Sequence, residues 1–86
     1  MRLKDQSIVI TGAAGLLGKE HASAVLEESG NVILWDIDIN NLNLVKQSLS
    51  EIYEESKITI EKVDICNENQ VAEKISDLGK NGILLS

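Results

Sequence analysis

Thr11-Gly12-Ala13-Ala14-Gly15-Leu16-Leu17-Gly18 is the stretch of this chain best suited to holding a charged ligand. It follows an apolar run and precedes a helical pattern, and a dinucleotide pyrophosphate needs that setting. Gly12 permits the tight turn. Gly15 lets the backbone approach the phosphates with no Cβ in the way, and Gly18 allows the helix to pack closely on the strand. The amides from Ala13 to Leu17, Ala14, Gly15 and Leu16 among them, then face the phosphates from a helix N-terminus, where unpaired N–H groups favour negative charge. A purely structural glycine turn is the alternative. A Walker-type phosphate loop is excluded, because the spacing from Gly12 to Gly18 is too long and Glu20 stands where Ser or Thr must hold magnesium.

Asp36 ends the next apolar run, about 20 residues beyond the glycines, as the dinucleotide fingerprint requires. A carboxylate there accepts hydrogen bonds from both adenosine ribose hydroxyls and repels a 2′-phosphate. Ile37-Asp38-Ile39-Asn40-Asn41 offers no compensating base, so charge favours NAD over NADP. The alternative role, a turn or cap acid, suits Asp38 better, since Asp36 still belongs to the strand end.

Other chemistry-bearing residues lack partners. His21 is the only histidine; it lies one helical turn from Leu17 and Val25 and is expected to pack toward the sheet. Cys66 is the only cysteine, so an internal disulfide, a zinc finger and a redox cysteine pair are all excluded. Its neighbours are acidic or neutral, and it reads as a small filler in a reducing, cytoplasmic setting. The net charge of −6 would repel a nucleic-acid duplex or an anionic membrane surface. Trp35 and Tyr53 are the only aromatic side chains, too few for a stacking platform on single strands. Ile8-Val9-Ile10 is too short for a signal peptide or a membrane span.

The elements that must position these residues follow from periodicity. Ser7–Thr11, Asn31–Asp36 and Ile58–Val63 read as strands, the first buried on both faces. Leu17–Ser29 reads as a helix with Leu17, His21, Ala24 and Val25 on its inner side, stopped by Gly30. Asp38 or Asn40 caps a second helix carrying Leu42, Val45, Leu49 and Ile52. Asn67 or Glu68 opens a third helix with Val71, Ile75 and Leu78, broken by Gly79 and Gly82. Ile83-Leu84-Leu85 reads as the start of a fourth strand. Alternation of this kind means an α/β, Rossmann-type parallel sheet with right-handed crossovers and strand order 3-2-1. The first two helices are expected on one face and the third on the other. Residues 1–86 read as one partial NAD(P)-binding domain: a βαβαβα half with its fourth strand begun, one sheet face thinly covered.

Thr11–Gly18 (TGAAGLLG), Val32–Asp38 (VILWDID) and Val63-Asp64-Ile65 together resemble the N-terminal portion of the short-chain dehydrogenase/reductase family, and the resemblance runs from Ser7 to Ser86. It implies that Asp64 hydrogen-bonds the adenine amino group and that Ile65 packs on the ring; read without it, Asp64 is a strand-end cap for the third helix. The glycine spacing departs from the TGxxxGxG of standard members and is similar to that of extended members, many of which act on nucleotide sugars. The implied substrate is a sugar or surface-glycan precursor. The family's Asn-Asn-Ala-Gly segment and its catalytic Ser and Tyr-x-x-x-Lys have no matching position up to Ser86. Tyr53-Glu54-Glu55-Ser56-Lys57 has the last spacing but leads into the third strand, at the edge of the sheet away from ligands.

The expected function is therefore the dinucleotide-binding part of an NAD-dependent oxidoreductase. Its ligand is the cofactor, and an intact parent could be a homo-oligomer. The alternatives are a non-catalytic nucleotide-binding module and a non-functional truncated product.

Overall fold

The computed structural model describes residues 6–78 and 82–85. Their order is β1 (Ser7–Thr11), α1 (Leu16–Glu27), β2 (Asn31–Asp36), α2 (Ile39–Ser50), a short 3-10 turn (Glu55–Lys57), β3 (Ile58–Lys62), α3 (Glu68–Leu78) and β4 (Gly82–Leu85). The strands form one parallel sheet in the order β3-β2-β1-β4. The expected 3-2-1 order is present, with β4 on the far side of β1. Gly79, read as a helix stop, lies outside the described residues.

Side chains alternate across the strands and divide the core in two. Ile8, Ile10, Val32, Leu34 and Ile58 face α1 and α2, which contribute Ala22, Val25, Leu26, Leu42, Val45 and Leu49. Val9, Trp35 and Val63 face the other way, with Ile33 and Val71 of α3 packed against them. Ile8, Val9 and Ile10 are all buried, which is why β1 shows no polar alternation. β3 sits at an edge of the sheet and does alternate, with Ile58 buried and Thr59 exposed.

The inner face of α1 differs from the one expected. Gly18, Ala22, Val25 and Leu26 are buried, while Leu17, His21 and Ala24 are exposed. Gly18 sets this phase: a Cβ there would lie 2.5 Å from Ala13 Cα, so the helix seats against the turn at the one residue without a side chain. His21 is thereby turned to solvent. The end of α1 also differs, because Ser29 takes the left-handed conformation at φ 66°, ahead of Gly30. Ser29 N–H donates to Leu26 C=O at 3.1 Å and Gly30 N–H to Val25 C=O at 3.0 Å, which closes the last turn.

Asp38 caps α2 through its side chain, accepting Asn41 N–H at 3.1 Å. Leu42, Val45 and Leu49 form the buried stripe. The helix ends at Ser50, so Ile52 falls off that stripe and is exposed. Asn67 precedes α3 and accepts Gln70 N–H at 3.1 Å, the cap bond the sequence anticipates.

Candidate functional site

Parallel register brings the carboxyl ends of three strands to one level. Thr11 lies opposite Trp35, and Asp36 opposite Lys62. Two further ladder bonds carry the alignment past the strand ends: Ala13 N–H to Trp35 C=O at 3.1 Å, and Val63 N–H to Asp36 C=O at 3.0 Å. The glycine turn, Asp36 and the Asp64 loop must therefore meet at one edge. They enclose an open pocket of about 290 Å³ there. Gly12, Asp36, Asp64 and Ile65 line it, four of the residues chosen from sequence, together with Ile37, Val63 and Cys66.

The turn begins at Gly12, whose φ of +65° is open to glycine and strained for other residues. Gly15 N–H returns to Gly12 C=O at 3.3 Å. Gly15 is the N-cap of α1 and provides no side-chain acceptor. Ala13 and Ala14 amides are already engaged, Ala13 with Trp35 and Ala14 with Asp36 Oδ2 at 3.1 Å. Of the amides expected to face phosphate, those of Leu16 and Leu17 remain in the first helical turn, joined by Gly18. A helix leaves these N–H groups without intrahelical acceptors. Ala14 acts instead by tying the turn to the end of β2.

Asp36 is fixed from both sides. Its Oδ2 accepts from Ala14 and its Oδ1 accepts Asp38 N–H at 3.0 Å. Each carboxylate oxygen has a second lone pair, so further donors can still be accepted. The two readings of Asp36 are thus compatible, since it braces the turn and also lines the pocket. Register sets Lys62 beside Asp36, but Lys62 is exposed and does not line the pocket.

Asp64 does not cap α3; Asn67 does. Asp64 Oδ1 accepts Cys66 N–H at 2.9 Å, a local turn that leaves the carboxylate at the pocket wall. Ile65 and Ile37 are both exposed aliphatic side chains lining this pocket. Two apolar walls and two carboxylates suit a planar base with a polar edge joined to a sugar. Its size, near the low end of the roughly 300–1,000 Å³ usual for ligand sites, suits part of a dinucleotide. Ile37 and Val63 were missed as lining residues. Their signal was present, since each lies within two residues of a chosen acid at a strand end. Cys66, read as a small filler, is exposed and lines the pocket beside Asp64 and Ile65.

Tyr53 and Lys57 stay away from this edge. Tyr53 Oη lies 2.8 Å from Ser23 Oγ and donates to Glu27 at 3.0 Å, joining the end of α2 to α1. Lys57 Nζ donates to Ser29 C=O at 3.4 Å. A larger surface hollow of about 410 Å³ lies along α2, where Lys46 and Glu55 pair at 3.8 Å. It contains none of the glycine-turn or strand-end residues, so its size does not make it the chemical site. Among the described residues no cluster of metal-ligating side chains occurs, and no helix is long and apolar enough to cross a membrane.

Known proteins share this fold. A short-chain dehydrogenase/reductase of Aspergillus versicolor is 34% identical over 76 residues, covering 84% of this chain and 25% of that protein. The chain thus spans about a quarter of that relative's length. A short-chain dehydrogenase/reductase of Burkholderia phymatum, solved in complex with NAD, aligns with a TM-score of 0.78 at 21% identity, covering 94% of this chain and 28% of its own. The NADPH-bound short-chain oxidoreductase of Pseudomonas aeruginosa, described as having an atypical catalytic center, aligns at 0.80 with 18% identity, covering 93% and 31%. At such identities the two structures establish the fold alone. Residues 8–85 match the model of the NAD dependent epimerase/dehydratase family, and the chain belongs to that family, of the short-chain dehydrogenase/reductase kind.

Proposed function

We propose that this chain is the NAD-binding part of a short-chain dehydrogenase/reductase-type oxidoreductase. One observation carries the reading: Gly12, Asp36, Asp64 and Ile65, distant in sequence, line a single pocket at the carboxyl edge of a parallel sheet. Ligands of open α/β sheets bind at that edge. The pocket seats the adenosine, with Asp36 toward the ribose hydroxyls, Asp64 toward the adenine amino group and Ile65 against the ring. Ile37 supplies a second apolar wall. The pyrophosphate lies over Gly15, on the amides of Leu16, Leu17 and Gly18.

NAD is the preferred cofactor. A 2′-phosphate would stand against Asp36, with Asp64 also in the pocket wall and no basic side chain among the lining residues. When bound, the dinucleotide supplies hydride transfer, and these residues hold and orient it. The groups that handle substrate belong to the intact oxidoreductase. Its substrate is a sugar or surface-glycan precursor, a proposal supported by the TGxxGxxG spacing and by the epimerase/dehydratase family match. Net charge −6 and a single cysteine support a cytoplasmic protein, homo-oligomeric in its intact form, whose partner is the dinucleotide and neither nucleic acid nor an anionic membrane surface.

Isothermal titration of the chain with NAD and NADP tests the reading. NAD is expected to bind on the order of ten- to a hundredfold more tightly, about 1–3 kcal/mol. Equal affinities remove the assignment of Asp36, and binding of neither removes the dinucleotide site.

A further inference from the structure

Gln70 does not line the pocket, yet its side chain reaches the pocket wall. Its Oε1 accepts Asp64 N–H at 2.8 Å, in a half-buried contact. The preceding amide, Val63 N–H, still donates to Asp36 C=O across the sheet. Asp64 is the next residue, beyond the strand, where its N–H needs an acceptor from elsewhere. Gln70 provides it from the first turn of α3.

Gln70 is itself well anchored. Its N–H donates to Asn67 Oδ1 at 3.1 Å, the cap of α3. Val71, the next residue, packs against Trp35 and Val63 on the sheet. One turn further along α3, Lys74 Nζ pairs with Glu61 Oε2 at 2.8 Å. The loop between Asp64 and α3 is closed from inside as well, by Cys66 N–H to Asp64 Oδ1 at 2.9 Å and Asn67 N–H to Asp64 C=O at 2.9 Å. The first turn of α3 thus holds the Asp64 backbone, and the local turn holds one carboxylate oxygen. Among the described residues Oδ2 has no such partner.

We propose that Gln70 is a positioning residue for base recognition, orienting Asp64 so that its carboxylate accepts the exocyclic amino group of the adenine. This rests on the reading of the pocket as the adenosine seat. A residue that merely stabilised the fold would affect all ligands of the pocket alike. A positioning residue affects the one whose base donates a hydrogen bond to Asp64.

The test compares NAD with its hypoxanthine analogue, which carries an oxo group where adenine has the amino group. Both are titrated into the chain and its variants. The wild type is expected to prefer NAD by on the order of tenfold, the weight of one hydrogen bond to a charged acceptor. In Gln70→Leu the preference falls to roughly threefold or less, through weaker NAD binding, while Gln70→Glu, which still offers an acceptor oxygen, retains it. Wild-type preference that persists undiminished in Gln70→Leu overturns the inference alone. A wild type that binds both ligands equally overturns the adenine assignment and the inference together. Should Gln70→Leu lose its native circular dichroism, amide hydrogen exchange on the wild type decides. Protection of Asp64 N–H is the expected result, and exchange at the rate of an unprotected amide overturns the proposal.

Discussion

Both carboxylate oxygens of Asp36 accept backbone amides, Ala14 from the glycine turn and Asp38 from the start of α2. Asp36→Ala therefore leaves two donors without their acceptor. The expected loss is about 1–3 kcal/mol of stability, together with a smaller gap between NAD and NADP. Asp36→Asn keeps one acceptor oxygen and should fall between. Denaturant titration and calorimetry on the same variants separate bracing from ribose recognition. Lys62→Ala should leave the cofactor ratio unchanged; a rise in NAD preference would show that this cation tempers the repulsion. Glu61 makes a second residue-scale case. Burial pushes its carboxyl up, but hydrogen bonds from Lys74 and Trp35 and the Lys74 charge outweigh that, so its pKa lies below the ordinary 4.5. The folded state thus favours the ionised form. The resulting stability is present above 4.5 and is lost as pH falls through the lowered value. Thermal melts from neutral to acid pH should show wild type and Glu61→Gln converging at the acid end; a constant difference contradicts this. The candidate role of Asp36 was legible because an acid at a strand end is a local pattern. Its bond to Asp38 N–H is a local turn of the kind the alternative reading allowed, but its bond to Ala14 was not legible, because it depends on where the glycine turn folds back.

At the scale of the element, two glycines of one turn should respond in opposite ways. A Cβ on Gly15 would meet only Gly12 C=O at 3.7 Å, an ordinary contact, and its φ of −83° is open to any residue. Gly15→Val should keep the helical circular dichroism and lose NAD binding, because the branched side chain occupies the phosphate approach. Retained binding would mean that the turn is structural only. Gly18→Ala meets the backbone of Ala13 at 2.5 Å, and backbone cannot step aside as a side-chain end does. Its expected effect is destabilisation of about 1–3 kcal/mol, read as a lowered melting temperature. The strands were legible from their apolar runs, and the observed β1 and β2 have the expected bounds. The face of α1 was not. Leu17, His21, Ala24 and Val25 make a plausible stripe by spacing, but glycine carries no hydropathy signal, and the Gly18 contact rotates the helix so that Ala22 and Leu26 turn inward.

For the whole molecule, the pocket holds groups suited to binding a cofactor, and the chain's single tyrosine is committed elsewhere. Tyr53 Oη links α1 and the end of α2 through Ser23 and Glu27. His21 lies exposed on α1 and is not among the pocket-lining residues. Proton donation to a carbonyl needs a donor within hydrogen-bond reach of the substrate, beside the nicotinamide. The 86-residue chain is accordingly expected to turn over neither sugar, steroid nor simple ketone acceptors with NADH. Tyr53→Phe should lower stability by about 1 kcal/mol and leave NAD affinity unchanged. Turnover above background that Tyr53→Phe abolishes would overturn the reading of Tyr53 as a structural contact.

Local order was written in the sequence: apolar runs for strands, three- and four-residue steps for helices, Asp38 and Asn67 at helix starts, and a glycine turn between the first strand and helix. Alternation of strand and helix also determined the parallel sheet, because such crossovers pack in one hand. Tertiary structure alone decided which residues meet. Register in the sheet made neighbours of Gly12, Asp36 and Asp64, and the path of the chain from β3 into α3 directed Gln70 to the Asp64 amide. Periodicity describes one element at a time. Contacts between elements depend on backbone approach and hydrogen-bond geometry, which exist only once the chain has closed on itself.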